Sequence, residues 1–285
     1  MNLKNTFRKM TPELLWQTLG FLKRSPGYWL MDRSDSLRLK YNQREGYFYV
    51  RDDLCVHAPE NITAHICWRA HGFEDISSRH ETQDFLRLSE GCSGLIDIGG
   101  QTGFMSALFA QSRAGDYRIL SVEPDPLILP ILKRAKELNQ TARGQWDIAE
   151  MAVSDVDGVI SFLVSNPIFD LPVNARQDES REVKAIKLST LLDSLNWTPD
   201  IVKVDVESFE YEILAASMDS IAKIKPKLQL EVHWEILARR GKSARDFLAP
   251  LYDLGYRGLS RKFHDLGAWE RDCRSNVVSR LSLSV

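Results

Sequence analysis

The chain lacks long apolar runs and paired cysteines. None of its apolar runs approaches the roughly 20 residues that a helix needs to span a bilayer. Its N-terminal residues also lack the apolar core of a signal peptide. The four cysteines form no C-x-x-C pair and no zinc-finger spacing. These absences predict a cytoplasmic protein with reduced thiols and without a transmembrane segment.

The charge of the chain has no strong bias of either sign. Lys and Arg together number 37, Asp and Glu number 39, and the formal net charge is −2. The basic residues are scattered along the sequence, whereas nucleic-acid-binding surfaces need them clustered. We therefore expect no nucleic-acid partner. With 44% apolar and 27% charged residues, the composition is that of a globular protein with one large domain and an appendage.

Residues 95–104 form the most informative stretch of the chain. A short apolar run leads into a glycine-rich turn, and a segment with helical apolar periodicity follows. Gly99 and Gly103 allow the backbone to turn sharply beside a ligand, and the helix that follows would direct backbone N–H groups to the same place. Asp97, at the end of the strand, would face the polar end of that ligand. The pattern predicts a strand, loop and helix that bind a nucleotide.

The spacing of the glycines narrows the class of ligand. Ile98 stands where a dinucleotide fingerprint requires its first glycine, and no Gly-Lys-Ser/Thr follows to make a P-loop. The remaining pattern, acid-x-Gly-x-x-x-Gly, is that of S-adenosyl-L-methionine (AdoMet) sites in Rossmann-like methyltransferases. A nicotinamide-dependent oxidoreductase is therefore a disfavoured alternative. On this motif alone, an ordinary glycine-rich turn between a strand and a helix remains an alternative.

A second acidic position supports the nucleotide interpretation. Residues 117–122 read as a strand that ends in Glu123-Pro124-Asp125-Pro126. One carboxylate can accept hydrogen bonds from both hydroxyls of a ribose, which assigns Glu123 to an adenosyl ligand. Acids and prolines are also favoured at helix starts, so Asp125 is predicted to cap a helix that runs to about Asn139.

The segment after this helix is predicted to complete the donor site. Residues 145–153 should form the third strand, with residues 159–164 as its hairpin partner. Glu150 and Met151 then lie where an adenine base usually binds, and Ser154 follows; the sequence leaves open which of them contacts the base. Residues 166–182 are polar and contain proline, so they form either a functional lid or a mobile segment.

Polar residues alternate with apolar ones in the next two predicted strands. In residues 201–207 and 227–233, the alternating polar residues are Lys203, Asp205, Glu207, Gln229, Glu231 and His233. Central parallel strands normally read as continuous apolar runs, and charged side chains are rarely buried unless they are paired. A structural ion pair between Lys203 and Glu231 is one interpretation. For Asp205 and His233, near the strand ends, we favour a role in function.

These motifs, together with residues 152–155 and especially 200–210, resemble the FkbM-type AdoMet-dependent methyltransferases over about residues 92 to 235. The resemblance implies an α/β domain of the Rossmann-like class I methyltransferase type. Such a domain has a seven-stranded, mostly parallel sheet with helices on both faces. The resemblance also implies AdoMet-dependent O-methylation of a hydroxyl on a sugar, glycan or natural product. The candidate donor-binding residues are Asp97, Gly99, Gly100, Gly103, Glu123, Asp125, Glu150, Met151 and Ser154.

Two positions depart from the family pattern. Gly100 stands where the family usually has alanine, which we expect to be harmless. Ser208-Phe209 stands where the family usually has Gly-Ala, which adds bulk beside the expected active-site strand. This second departure leaves a catalytically impaired AdoMet-binding or scaffold protein as an alternative function.

Methyl transfer suggests roles for the polar strand residues. A sulfonium methyl group is already activated, so the protein mainly aligns the acceptor oxygen and removes its proton. His233 is the best candidate base, because imidazole titrates near neutral pH, and Asp205 would orient it or hold the acceptor hydroxyl. Lys203 and Glu231 complete the candidate catalytic set. A divalent metal bound by Asp205, Glu231 and His233 is a second interpretation, although the spacing is not diagnostic.

The chain upstream of the site is predicted to be an appendage. We divide the sequence into an N-terminal segment, residues 1–90, and a methyltransferase domain, residues 91–285. Residues 1–30 carry an apolar stripe at helical spacing flanked by basic residues. This helix would pack on the domain or on a second subunit of a homo-oligomer, or it would bind a membrane surface. Residues 37–41 and 47–50 flank a turn and predict a β-hairpin.

Overall fold

The computed structural model describes residues 41–42, 47–51, 54–61, 64, 68, 76–164, 179–206, 209–259, 265–275 and 278–285. The helix predicted over residues 1–30 lies outside these ranges, as do most of the predicted lid segment and the pair Glu207 and Ser208.

From residue 94 onward, strands are connected by helices in the manner of an α/β protein, except for four successive strands between residues 144 and 187. The strands are β1 (Tyr41–Asn42), β2 (Tyr47–Arg51), β3 (Leu54–His57), β4 (Gly94–Ile98), β5 (Tyr117–Val122), β6 (Gly144–Ala149), β7 (Ala152–Ser154), β8 (Gly158–Val164), β9 (Glu179–Lys187), β10 (Ile201–Val204), β11 (Lys227–His233), β12 (Arg257–Gly258) and β13 (Val278–Ser284). The helices are α1 (Ile76–Leu88), α2 (Phe104–Gln111), α3 (Leu129–Asn139), α4 (Leu188–Ser194), α5 (Glu210–Ala215), α6 (Met218–Ile224), α7 (Trp234–Arg239), α8 (Ala244–Asp253) and α9 (Leu266–Ser275). Among the described residues, no helix has both the length and the apolar character needed to cross a membrane.

The main sheet has seven strands in the order β6-β5-β4-β10-β11-β13-β12. Neighbouring strands from β6 to β11 are parallel, and β13 runs antiparallel to both β11 and β12. The predicted seven-stranded sheet is confirmed in outline, with mixed strand directions at one edge. The strand order reverses between β4 and β10. Ligands of open α/β sheets bind outside the carboxyl ends of the strands at such a switch point.

Helices cover both faces of this sheet. Successive strand residues face opposite sides, so Ile96 and Ile98 of β4 lie on one face and Asp97 lies on the other. The first face belongs to a buried apolar cluster that includes residues of α4, α5 and α8. On the second face, the Ser106 hydroxyl of α2 donates to Asp97, and α1 packs against β13. Asp97 and Lys203, which are paired in register, therefore lie on the second face.

The described segments upstream of residue 91 contact the domain directly. β1 pairs antiparallel with β2, which confirms the predicted hairpin where it is described, and β3 adds a third strand that the sequence analysis did not predict. The Asn139 side chain at the end of α3 bonds both the N–H and the carbonyl of His57, each at 2.7 Å. The Trp68 indole donates to the Thr102 hydroxyl at 3.1 Å.

The predicted third strand is divided between two sheets. β6 ends at Ala149, and the Met151 N–H bonds back to the Ala149 carbonyl at 3.0 Å, which turns the chain out of the main sheet. β7 then joins a separate three-stranded sheet in the order β7-β9-β8. The prediction that residues 159–164 pair with the third strand is therefore wrong, because β8 pairs with β9. Residues 179–182, predicted as part of the lid segment, belong to β9.

Candidate functional site

The glycine turn after β4 has the backbone geometry that only glycine adopts readily. Gly99 and Gly103 have φ values of 75° and 85°. A β-carbon on Gly99 would lie 1.8 Å from the Asp205 carbonyl oxygen, and one on Gly103 would lie 2.9 Å from the Ala135 β-carbon. The sequence interpretation assigned these glycines to a sharp backbone turn and to the approach of a ligand. In the structure, the turn and the packing of the neighbouring segments already require them.

Glu123 lies at the carboxyl end of β5, beside this turn. It is 6% exposed, and its two carboxylate oxygens accept from the backbone N–H groups of Gln101 and Asp125, each at 2.9 Å. Burial raises the pKa of Glu123 to about 7, although the two backbone hydrogen bonds oppose this shift. A carboxylate has about four lone-pair sites, so each oxygen can accept one further hydrogen bond. The side chain is therefore fixed in position and still able to bind a diol.

Asp125 stabilises a turn and does not cap a helix. Its Oδ1 accepts from the Leu127 N–H at 2.8 Å, and its carbonyl accepts from Ile128 and Leu129. α3 begins at Leu129, with Ile128 at the N-cap position and no side-chain cap. The predicted helix cap at Asp125 is wrong, because the hydrogen bonds of Asp125 form one turn upstream of the helix. These bonds fix the loop that follows Glu123.

The three candidate adenine-binding residues are separated by the turn at the end of β6. The Glu123 N–H bonds to the Ala149 carbonyl at 3.1 Å, so Glu150 and Met151 follow directly on the segment beside Glu123. Glu150 is half exposed and forms an ion pair with Lys133 at 2.6 Å. Ser154 lies in β7 of the second sheet, where it is buried. Of the three, Glu150 and Met151 are next to the donor-side carboxylate.

Lys203 joins two carboxylates at the switch point. Its Nζ lies 3.2 Å from Asp205 Oδ2 and 3.6 Å from Asp97 Oδ1, and its side chain is 4% exposed. Burial lowers the pKa of Lys203, but the surrounding carboxylates, with Asp205 and Asp97 the strongest, outweigh burial and raise the pKa above its usual value. Asp97 also accepts from the Ser106 hydroxyl at 2.6 Å. Both of these contacts join Asp97 to other residues of the protein, whereas the sequence predicted that Asp97 faces the ligand.

Glu231 pairs with Arg280, and not with Lys203 as the sequence suggested. The Arg280 guanidinium from β13 contacts both oxygens of Glu231, at 2.9 and 3.2 Å, and its Nε lies 2.9 Å from Glu81 Oε2 of α1. Burial raises the pKa of Glu231 to about 8 and also raises that of Glu81. Sequence reasoning missed both partners. The signal for Arg280 was a lone charge in an alternating apolar strand, whereas Glu81 gave none.

His233 is the last residue of β11 and lies at the same edge of the sheet as the glycine turn. Its Nδ1 is 3.2 Å from Oε1 of Glu210, the first residue of α5. Asp205, which the sequence analysis expected to orient His233, accepts from the Lys203 ammonium. The Asp205 N–H bonds the Ile98 carbonyl at 3.1 Å, which ties the loop after β10 to the end of β4. The candidate base thus lies near the predicted donor site, with Glu210 as its carboxylate partner.

Asp205, Glu231 and His233, the metal ligands that the sequence suggested, do not form a metal site. Across the described part of the chain, no three His, Cys, Asp or Glu residues come together as a group that could hold a metal ion. Two of the three ligands that the sequence suggested have other partners, since Arg280 contacts both Glu231 oxygens and His233 Nδ1 lies against Glu210. The donor set does not fit the metal interpretation.

Comparison with solved structures finds methyltransferases of low similarity. The FkbM methyltransferase of Methylobacillus flagellatus KT is 20% identical, with a TM-score of 0.35, and the match covers 57% of this chain and 36% of that chain. This chain therefore spans about a third of that protein. The ribosomal protein L11 methylase of Lactobacillus delbrueckii subsp. bulgaricus is 11% identical with a TM-score of 0.38, covering 75% of this chain and 80% of that one. The precorrin-6y C5,15-methyltransferase of Geobacter metallireducens GS-15 is 12% identical with the same TM-score of 0.38, covering 74% and 91%. TM-scores this low support no conclusion about this chain.

Comparison with protein families is more informative. No curated protein matches the chain. The model of the methyltransferase FkbM domain matches residues 97–257, which is more than half of the 285 residues. The matched region begins at Asp97 and contains the glycine turn, Glu123, Lys203, Glu210 and His233. On this match, the chain belongs to the FkbM methyltransferase family.

Proposed function

We propose that the protein is an AdoMet-dependent O-methyltransferase that transfers a methyl group to a hydroxyl of a sugar, glycan or natural product. The observation that carries the proposal is the position of Glu123. Its carboxylate is buried beside the glycine turn, both oxygens are fixed by backbone N–H groups, and each oxygen can still accept a hydrogen bond. Two adjacent ribose hydroxyls are donors that match this arrangement.

The residues of the site fit the adenosyl part of AdoMet better than a dinucleotide. The turn has Ile98 where a pyrophosphate would need glycine, and Glu123 supplies the acid at the end of the next strand. The Ala149–Met151 segment adjoins Glu123 through the backbone bond from Glu123 to Ala149. AdoMet, when bound, supplies a methyl group on a positively charged sulfur.

The residues at the carboxyl ends of β10 and β11 would act on the acceptor hydroxyl. In this proposal, His233 takes the proton of the acceptor hydroxyl while the oxygen forms a bond to the methyl carbon. The carbon–sulfur bond breaks with its electron pair moving to sulfur, so that S-adenosylhomocysteine leaves neutral at sulfur. An alcohol hardly ionises in neutral water, and proton removal by a positioned base is worth about 10²–10⁴ in rate. Asp205 lies beside this edge to hold the acceptor or its polar groups.

Phe209 gives little support to the impaired or scaffold alternative. Its ring is half buried and packs against the apolar cluster, and the Arg240 guanidinium lies 5.4 Å from the ring centroid. The added bulk is therefore taken up by packing against these groups. The acceptor class itself rests on the family resemblance.

Calorimetry with AdoMet, S-adenosylhomocysteine and NAD in parallel tests the donor assignment. We expect the first two to bind, and Glu123→Ala to weaken AdoMet binding by about 2–4 kcal/mol, at roughly 1.5 or more for each hydrogen bond to a charged group. Glu137→Ala on the exposed side of α3 is the matched control, because it removes a surface carboxylate that pairs with Arg134. Unchanged AdoMet affinity in Glu123→Ala, or binding of NAD alone, would show that the assignment is wrong.

A panel of acceptors tests the reaction class. Formation of S-adenosylhomocysteine should depend on sugars, glycans or polyketide-like compounds that carry a free hydroxyl. The matched controls are the same compounds with that hydroxyl blocked. Turnover that continues with the blocked compounds, or that needs an amine, would contradict O-methylation.

A further inference from the structure

Glu210 and His233 form a buried carboxylate–imidazole pair. Glu210 is fully buried, the His233 side chain is 11% exposed, and Nδ1 lies 3.2 Å from Oε1. The two residues come from different elements, since Glu210 begins α5 and His233 ends β11. α5 contacts β11, the strand that carries His233.

Three other described carboxylates near β10, β11 and α5 contact cations. Asp205 contacts the Lys203 ammonium, and Glu231 contacts the Arg280 guanidinium. On α5 itself, Glu212 forms an ion pair with Arg240. Glu210, by contrast, lies within hydrogen-bonding distance of the His233 ring.

The Glu210 carboxylate determines which nitrogen of the His233 ring carries the hydrogen. A carboxylate only accepts hydrogen bonds, so the ring nitrogen facing it must carry the hydrogen. In the neutral ring, Nδ1 is then the donor and Nε2 carries the lone pair that can accept a proton. A nearby negative charge also stabilises the imidazolium that forms when Nε2 accepts a proton. The Ser-His-Asp triad uses a carboxylate in these two ways.

We infer that Glu210 is the positioning residue of the acceptor site, which holds His233 as the Nδ1–H tautomer and leaves Nε2 as the atom that takes the acceptor proton. This inference rests on the proposed function and names a different carboxylate from Asp205, which the sequence suggested. Glu210 acts through His233 and needs no contact with either substrate.

Nitrogen-15 NMR of the histidine rings tests the inference without knowledge of the acceptor. In the parent, with the His233 signal assigned by its loss in His233→Ala, we expect the Nδ1–H tautomer. Glu210→Gln keeps the shape but can donate to Nδ1, so the Nε2–H tautomer should become populated. The pKa of His233 should fall by about 1–3 units, which is the effect of a charge within about 4–6 Å. Glu212→Gln removes a charge from the same helix and should change neither property.

Glu210→Asp provides a second variant in case the glutamine variant does not fold. It retains the charge, so the tautomer preference and the pKa of His233 should return at least partly towards those of the parent. A parent protein with His233 in the Nε2–H tautomer would overturn the inference, as would identical tautomers and pKa values in the parent and Glu210→Gln. AdoMet affinity, measured on the same samples, should stay within a fewfold of the parent. Absence of AdoMet binding by the parent would instead refute the proposed function.

Discussion

The carbonyl oxygen of Asp205 occupies the space beside Gly99 where any other residue would carry its β-carbon, only 1.8 Å from that position. The Asp205 N–H is also bonded to the Ile98 carbonyl, immediately before this glycine. The turn that is predicted to bind the methyl donor and the loop that carries Asp205 are therefore in direct backbone contact. A substitution that shifts the backbone at Gly99 must therefore also shift the backbone at Asp205.

We predict that Gly99→Ala disrupts the site much more than Gly100→Ala. Gly99 has φ of 75°, so alanine adds backbone strain of about 1–3 kcal/mol in addition to the overlap with Asp205. A β-carbon on Gly100 would lie 3.2 Å from the Ser121 β-carbon, which requires only a small shift. Urea unfolding should show the larger stability loss for Gly99→Ala, and calorimetry should show AdoMet affinity reduced more than tenfold. Equal losses in the two variants would contradict this explanation.

AdoMet affinity should fall as the pH decreases below 7. Burial raises the pKa of Glu123 to about 7, so below this pH the free protein holds a proton on the carboxyl group. Hydroxyl donors bind the ionised carboxylate, and binding must then release the proton. The affinity should decrease by up to about tenfold per pH unit, since one pKa unit corresponds to about 1.4 kcal/mol.

Calorimetry between pH 5.5 and 8.5 measures this dependence. Glu123→Gln cannot titrate at this position, and its affinity should be lower than that of the parent at pH 8 and much flatter with pH. Because the ligand has ionising groups of its own, the difference between the two curves is the relevant quantity. Parallel curves for parent and variant would show that Glu123 does not control the binding.

Replacing Lys203 should destabilise the domain strongly. The substitution Lys203→Met leaves the buried carboxylate of Asp97 and the partly exposed carboxylate of Asp205 without their shared cation. Removing one partner of a buried ion pair costs about 3–5 kcal/mol. Urea unfolding measures this loss. The double variant Lys203→Met with Asp97→Asn should recover part of it, and strictly additive effects would argue against coupling between the two residues.

Glu231 should make the protein less stable as the pH rises from 5 to 8. Its pKa in the folded protein is raised to about 8, mainly by burial, above the unfolded value of about 4.5. A group whose pKa is raised on folding contributes its stability below the unfolded pKa, and this contribution is lost as the pH rises through the folded pKa. The melting temperature of the parent should therefore fall relative to that of Glu231→Gln over this range. A constant difference would show that Glu231 ionises normally in the folded state.

Local sequence patterns predicted the donor half of the site. The apolar strand, the glycine turn and the acid after the next strand lie within about 30 residues of one another and depend on backbone preferences that neighbouring residues determine. The alternation of polar residues in residues 201–207 and 227–233 also indicated the two strands that the structure describes as β10 and β11, with His233 as the last residue of β11. These features could be read because each depends on a short stretch of chain.

Partners that are distant in the sequence could not be predicted. Glu231 meets Arg280 because β13 inserts beside β11, at a separation of 49 residues, and the same sequence could have paired Glu231 with Lys203. Glu210 lies beside His233, where the sequence suggested Asp205, because α5 contacts β11. The division of the third strand into β6 and β7 depends on pairing with β9, whose position no local pattern records.

The position of β13 between β11 and β12 affects the order in which the protein is assembled during synthesis. The strands β4, β5 and β6 are neighbours both in the chain and in the sheet, so they can associate as soon as they are made. β11 has to wait for residues 278–284, and until they arrive its edge is open and Glu231 lacks the guanidinium of Arg280. Pairing over long sequence separations is slow, because the intervening chain must first be closed into a loop. The carboxyl end of β11, which carries the proposed base His233, should therefore become native after β4, β5 and β6 when the chain is made on a ribosome.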